Sequence, residues 1–468
     1  MKLLRFLFHL LILVIIVVTA LLLLLYFQFR SRATPIRANI YIDYTHLVGP
    51  IPTNWSAFAQ GGEEPGRRML QNIIPQITEL APKYIRIDHI YDAYNVVGKD
   101  ASGRLFFNWS QLDQTICDIY AAGAKPFLSL GYMPPAISSD GSLISAPNNW
   151  SDWSLLVQKT IERYSGLTTS LCNGTVSGNK LAATYYEVWN EPDLEQFGKW
   201  SLYGGSKDYK VLYYYSSSGA TRARNVNHFY LGGPATTSAY KNWFQVFLNY
   251  VTKNNLRLDF LSWHHYSPNP DDYLTDVTNI NSWLADKSYS QYAFLSKIIS
   301  EWGYDSQPNP IADTNIGAAY TIASIRNLID QNVQMAFSFE LKDGPVPSWG
   351  ILTYAGAKKP RYLALQFLNL NASRRLQIDG EGTYVRAIAS MRPGKVVAIF
   401  VNFDRQNSNV ELVPVTITNL PNLTYKLALT YLDGTTITLD DISITNNTLK
   451  RNILMQPNMV VAMQLEQK

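Results

Sequence analysis

The chain predicts an α/β fold: a (β/α)8 TIM barrel with a C-terminal β-sandwich appended and an N-terminal transmembrane helix ahead of it. Three observations carry this expectation. Short apolar, strand-like runs alternate with stretches of helical periodicity over about 300 residues, the pattern of a parallel sheet covered by helices. From Tyr362 onward, alternating and β-branched short strands follow one another, with Pro-Gly and Asp-Gly turns and hardly any helix. Residues 6–27 form an apolar run broken only by His9 and Thr19. At about 1.5 Å per residue that run is roughly 33 Å long as a helix, enough to cross a bilayer.

Taken in order, the apolar run reads as an uncleaved anchor. A cleaved signal has a shorter apolar region, of about 7 to 15 residues, and the nearby small-x-small site Ser31-Arg32-Ala33 carries an arginine. Lys2 and Arg5 precede the run, and Arg30, Arg32 and Arg37 follow it. That bias opposes an external domain, but large domains translocate despite modest charge. The expectation is a single-pass membrane protein with its catalytic domain on the extracellular side, a side chosen on functional grounds. The division follows as residues 1–30 anchor, 31–37 linker, 38–360 barrel and 361–468 sandwich.

Strand-like segments fall at 83–90, 124–132, 183–190, 227–235, 258–266, 294–303 and 332–341, with one more near 51–60. Between them, residues 109–123 read as an amphipathic helix ending at Gly123, where a left-handed cap is expected, and 150–166 as a helix opening on a Ser-Asp cap. Eight such units suit a closed barrel better than a doubly wound sheet. No Gly-x-Gly-x-x-Gly follows the first strand, which weighs against a dinucleotide fold.

Composition excludes several functions. With 47% apolar and 16% charged residues in 468, the chain can bury a large core. A formal net charge of +4, much of it flanking the anchor, leaves no basic face for nucleic acid. Two cysteines, Cys117 and Cys172, are too few for a cysteine metal cluster. A single disulfide and a pair of buried thiols both remain open.

In such a barrel, functional side chains project from the C-terminal ends of the strands. Five strands here end in polar residues: Arg86 to His89, Asn190-Glu191, His264 to Tyr266, Glu301, and Glu340. An isolated glutamate at a strand end is ordinary, but Glu191 and Glu301 close the fourth and seventh strands of one barrel. Two carboxylates across one pocket equip a protein for glycoside hydrolysis, one protonating the leaving oxygen while the other attacks the anomeric carbon or activates water.

The segments "YYEVWNEPDLEQFGKW", "AKPFLSLGYMPPAIS", "LDFLSWHHYSP", "IISEWGY" and "PSWGILTYAGAKKPRYLALQFLN" resemble the blocks of glycoside hydrolase family 39, in order and spacing, over residues 50–370. That family groups retaining β-xylosidases and α-L-iduronidases on barrels with catalytic glutamates on strands four and seven. The resemblance implies Glu191 as general acid/base, Glu301 as nucleophile and Asn190 as the partner of the sugar 2-hydroxyl. It implies that His264 and Tyr266 form the His-x-Tyr of strand six, with the tyrosine orienting the nucleophile, and that Arg86 supports the nucleophile's charge. His265 is expected to be a packed ring behind the site.

Two departures stand out. Where the family places a histidine two residues after the strand-two arginine, this chain has Asp88 followed by His89, so the sugar contacts from this strand differ. On strand eight the aromatic platform expected as Trp falls on Phe337, with Trp349 downstream as a substitute, and Glu340 and Lys342 bring charge near the pocket. Neither a metal nor an organic cofactor is required. The expected partners are a glycan substrate and the membrane, with no nucleic acid; oligomeric state is left open. The function implied is a membrane-anchored retaining glycoside hydrolase acting on an extracellular or envelope glycan. A catalytically silent carbohydrate-binding or scaffold protein on the same fold is the alternative, and transglycosylation would use the same two glutamates.

Overall fold

Strands buried on both faces must be apolar on both, and that is how the barrel strands read. The computed structural model describes residues 17–19, 35–61, 64, 66–347 and 349–468. The anchor expected at 6–27 lies, but for 17–19, outside the described residues, among which no helix is long and apolar enough to cross a membrane.

Eight parallel strands close into a barrel: β1 (Ala57–Gln60), β2 (Tyr84–Ile87), β3 (Lys125–Leu130), β4 (Thr184–Val188), β5 (Phe229–Thr236), β6 (Phe260–Tyr266), β7 (Ser296–Gly303) and β8 (Met335–Phe339). Phe337 pairing with Ala57 and Ser338 with Phe58 join the last strand to the first. A helix follows each strand: α1 (Ile74–Glu79), α2 (Ser110–Ala121), α3 (Trp150–Tyr164), α4 (Tyr209–Arg222), α5 (Lys241–Lys253), α6 (Asp272–Leu284), α7 (Asn315–Asp330) and α8 (Pro360–Leu368). The helix ends follow local chemistry. Gly123 after α2 takes the left-handed φ of +86°. For α3 the cap is Asn149 instead of Ser-Asp, because its side chain accepts from the Ser151 N–H.

Side-chain alternation divides the barrel wall into two cores. Phe127, Tyr185, Phe260, Ile298 and Phe337 point inward and fill the barrel floor. Their neighbours Leu128, Tyr186, Leu261, Ile299 and Ala336 point outward under the helices. The stacked aromatic floor makes the interior a packed core, so any ligand must sit at the rim above it.

Two of the expected boundaries move. The segment Ile40–Pro50, placed with the barrel by its position in the chain, is a strand of the C-terminal sheet, antiparallel to Arg374–Asp379 and parallel to Glu411–Thr418. The reason is one-sided: Ile40 and Ile42 are buried in the C-terminal core while Tyr41 between them is exposed. Helix α8 crosses residue 360, so the barrel runs to Leu368. The expected sandwich is built from one continuous nine-stranded sheet, flanked by Thr436–Ser443 and Leu449–Met455 at its edges.

That sheet has two apolar faces. In Lys395–Asn402, Val396, Ala398 and Phe400 join its own core, whereas Val397, Ile399 and Val401 join the barrel's outer core, toward α7. The two units are therefore one packed body. The cysteines are bonded to each other: Cys117 on α2 and Cys172 on the hairpin Thr168–Leu171/Gly174–Ser177 stand 5.5 Å apart at Cα. The bond ties α2 to the hairpin that follows α3 in the chain.

Candidate active site

Arg86 is the residue from which the site is built. One inward position above the aromatic floor, its guanidinium is 1% exposed and donates to three partners. Nε reaches Glu187 Oε2 at 2.8 Å, Nη1 reaches Glu301 Oε1 at 2.7 Å, and Nη2 reaches Asn190 Oδ1 at 2.7 Å. Burial by itself would favour loss of the proton, but the carboxylates of Glu187, Glu301 and Asp88 outweigh it and hold Arg86 protonated.

Glu301 reaches the pocket through an irregularity in β7. Ile298 faces the barrel interior, so strict alternation would turn Glu301 outward, toward the helices. In the pairing with β6, however, Trp263 stands opposite Ile299 and His264 opposite Glu301, which leaves Ser300 as an extra, bulged residue. The bulge turns Glu301 to the inside. There Tyr266 donates to Oε2 at 2.7 Å, opposite the Arg86 contact. Burial raises this carboxyl's affinity for a proton, as do the charges of Glu191 and Asp88, while His264 and Arg86 oppose them.

Glu191 and Asn190 follow β4. Trp189 and Glu191 both adopt left-handed backbone angles, φ +71° and +41°, which bulky or branched side chains rarely take. The turn is held by the Glu191 N–H donating to Ala235 O at 2.9 Å and by Ser129 Oγ donating to Trp189 O at 2.9 Å. Pro192 then carries the chain away from the strand direction. Asn190 donates from Nδ2 to the Tyr132 hydroxyl at 2.8 Å, leaving a second N–H on the same nitrogen for a ligand. His264 is fully buried between the two glutamates, its Nδ1 2.8 Å from Glu191 Oε1 and 3.5 Å from Glu301 Oε2. Burial disfavours its protonated form, but these carboxylates raise its proton affinity overall.

These groups open onto a pocket of about 710 Å³ at the strand ends. Its walls carry Asp88, His89, Phe197, Tyr240, Tyr266, Phe339 and Trp349. Oxygen atoms of Glu191 and Glu301 and a ring nitrogen of His264 lie within 4.8 Å of one another, a spacing that could also suit a metal ion. Arg86 donating to Glu301 puts a fixed positive charge into any such coordination sphere, so the trio fits proton and group transfer better.

The description "Glycosyl hydrolases family 39" matches residues 63–423. The chain belongs to this family. The family 39 chain is 26% identical over 380 residues to a β-xylosidase of Caldicellulosiruptor saccharolyticus, covering 73% of this chain and 72% of that one. It is 25% identical over 350 residues to a β-xylosidase of Geobacillus stearothermophilus, covering 66% and 64%. Among solved structures it resembles a family 39 enzyme of Xanthomonas axonopodis pv. citri, with a TM-score of 0.75 at 19% identity over 94% of this chain and 99% of that one. It also resembles a monomeric β-xylosidase of Caulobacter crescentus CB15, with a TM-score of 0.72 at 22% identity over 92% and 99%. As a member of the family, the chain is a retaining O-glycosidase of the two-glutamate type.

In this family 39 chain, the structure brings together Arg86, Asp88, His89, Asn190, Glu191, His264, Tyr266, Glu301 and Trp349. It does not bring Phe337. That ring is fully buried in the floor, 4.7 Å from the ring of Phe127, and the aromatic wall is Phe339, two residues further along the same face. Phe339 packs edge-on to Trp349 at 5.7 Å, so the expected substitute is present beside it. Lys342 points away from the pocket, its Nζ near Asn72 and over the Tyr354 ring at 5.1 Å. Glu340 lies behind the wall, where burial pushes its carboxyl up to about 8. His265 pairs with Asp276 at 2.5 Å and packs against Tyr273, but it also lines the pocket, so it is not the ring behind the site that the sequence predicts.

Sequence reasoning missed Glu187 and Tyr132. Glu187 was visible as the one charge in the run "TYYEV" of β4, and a charge in a strand apolar on both faces demands a buried partner. Glu187→Ala leaves Arg86 without one of the two carboxylates hydrogen-bonded to it, and a destabilisation of about 3 to 5 kcal/mol is expected. Thermal or denaturant unfolding measures this, and a variant within about 1 kcal/mol of the parent would show that the pair carries no such weight.

Proposed function

We propose that the chain hydrolyses an O-glycosidic bond by double displacement, with Glu191 as acid/base and Glu301 as nucleophile. The observation that carries this is the approach of their oxygens to within 4.8 Å. Retaining pairs stand about 5 to 5.5 Å apart, and inverting pairs leave about 6.5 to 9.5 Å for a water. Glu301 attacks the anomeric carbon while Glu191 gives its proton to the departing oxygen. The glycosyl–enzyme ester neutralises Glu301, and Glu191, now a carboxylate, takes a proton from the water that hydrolyses the ester. Asn190 is placed to hydrogen-bond the sugar 2-hydroxyl, a contact that strengthens as positive charge develops on the ring. His264, against both carboxylates, keeps them in register.

The setting we propose is a single-pass membrane protein, anchored by residues 6–27, with its barrel on the extracellular side and an extracellular or envelope glycan as substrate. The Cys117–Cys172 bond supports that side, because such bonds persist in oxidising compartments.

In a broad panel of aryl glycosides, the full chain in detergent is expected to turn over at least one sugar. Glu301→Gln is expected to abolish turnover, and Glu191→Gln to lower it by about 10² to 10⁴, least for leaving groups that need no proton. No hydrolysis anywhere in the panel, or a Glu301→Gln variant as fast as the parent, defeats the assignment.

The pH profile has a defined sign. Glu301 attacks as the carboxylate and burial raises its proton affinity, so the acid limb of kcat/KM falls as pH drops through Glu301's titration. Tyr266→Phe removes one of the two donors that hold the carboxylate and should move the acid limb to higher pH; a limb that stays put or moves down contradicts the role given to Tyr266.

Protease added to intact cells tests the orientation. Digestion of the barrel is expected, and full protection in cells whose external proteins are cut would place it inside.

A further inference from the structure

A general acid hands its proton to the departing oxygen, so the departing group must lie on the side of the pocket where Glu191 stands. The pocket has room for more than the sugar that is transferred. Pockets of about 300 to 1,000 Å³ take drug-sized ligands, and this one measures about 710 Å³. Glu191 follows β4, whose neighbour in the barrel is β5. On that side the wall is made by the loops after these two strands, which carry Gln196, Phe197, Ser238 and Tyr240.

Tyr240 is the open ring of this wall, 42% exposed while lining the pocket. It is also held in place. Its hydroxyl stands 3.2 Å from Thr237 Oγ1, and Asp193 accepts from the Thr237 N–H at 3.0 Å and from the Thr237 hydroxyl. Asp193 comes two residues after Glu191, whose own N–H donates to Ala235 O at 2.9 Å. The ring is thereby tethered to the turn that carries the acid/base, which a chance surface tyrosine would not be. Phe197 is fixed as well, stacked on Tyr132 with ring centroids 5.7 Å apart and planes inclined by 12°. Gln196 and Ser238 add uncharged donors and acceptors to the same wall. Flat rings beside amide and hydroxyl groups suit a sugar, which has apolar C–H faces and a rim of hydroxyls.

Resting on the glycosidase reading above, we propose that Tyr240 is the platform of a leaving-group subsite and that the group which departs is itself a sugar. The bond cleaved then joins two sugars. Glu301 takes the glycosyl group, and the second sugar leaves from Tyr240 with the proton of Glu191 on its oxygen. A departing group without a ring gains nothing from this platform.

Substrates that differ only in the departing group test this. For each sugar that the aryl-glycoside panel turns over, the full chain in detergent is given the glycosyl fluoride, whose departing ion has no ring to stack, and disaccharides in which that sugar is linked (1→3) or (1→4) to D-xylose or D-glucose. The readout is the ratio of kcat/KM on the disaccharide to kcat/KM on the fluoride, which cancels effects common to both. At least one disaccharide is expected to be cleaved. Tyr240→Ala should lower its ratio by about tenfold or more, chiefly through a higher KM for the disaccharide. Tyr240→Phe keeps the ring and should recover most of that loss. Turnover of the fluoride shows that each variant is folded, and Tyr240→Phe gives a readout should the alanine variant fail. A fluoride hydrolysed with no disaccharide cleaved, a ratio unchanged in Tyr240→Ala, or one as low in Tyr240→Phe as in Tyr240→Ala overturns this inference and leaves the glycosidase reading standing. If neither fluorides nor aryl glycosides are hydrolysed, the glycosidase reading itself falls and takes this inference with it.

Discussion

A guanidinium buried inside a barrel is the constraint on which the rest of this protein turns. Arg86 cannot stay charged in an apolar interior unless carboxylates surround it, and Glu187 and Glu301 do so from two other strands. The third donor direction holds the Asn190 amide. One cation thus sets the position of a carboxylate suited to attack and of an amide suited to a 2-hydroxyl. The residues that satisfy the charge are the residues that would meet a sugar, so stability and site geometry are coupled here.

The layers below and outside make that cluster rigid. Phe127, Tyr185, Phe260 and Phe337 close the barrel beneath it, and the helices cover the outer faces of the same strands. The C-terminal sheet adds a further layer, since alternate residues of Lys395–Asn402 pack against the barrel's outer core. A substrate can therefore approach from the strand-end side alone, where the loops bring Phe197, Tyr240 and Trp349 around the opening.

Much of the site could be read from strand endings. Asn190-Glu191, His264 to Tyr266 and Glu301 are polar residues at the ends of apolar runs, a pattern a core does not tolerate without a reason. Depth was harder to read. Phe337 and Phe339 share one face of β8, and the pattern cannot say which of the two lies above the floor; that depends on how the neighbouring strands stagger. Glu187 lay inside a quoted run but needed Arg86, about a hundred residues earlier, to give it meaning.

The order of strands and helices, the barrel, the polar strand ends and the family were determined by the sequence alone, because each rests on local periodicity or on residues adjacent in the chain. Three features were decided only by tertiary structure. The strand Ile40–Pro50 left its neighbours in sequence to join the C-terminal sheet, since Ile40 and Ile42 find their matching core there. Cys117 and Cys172 became partners because α2 and a distant hairpin meet. Ser300 bulged out of register, turning Glu301 from the helix side to the pocket. Register is a property of pairs of strands, so a single chain's pattern cannot contain it.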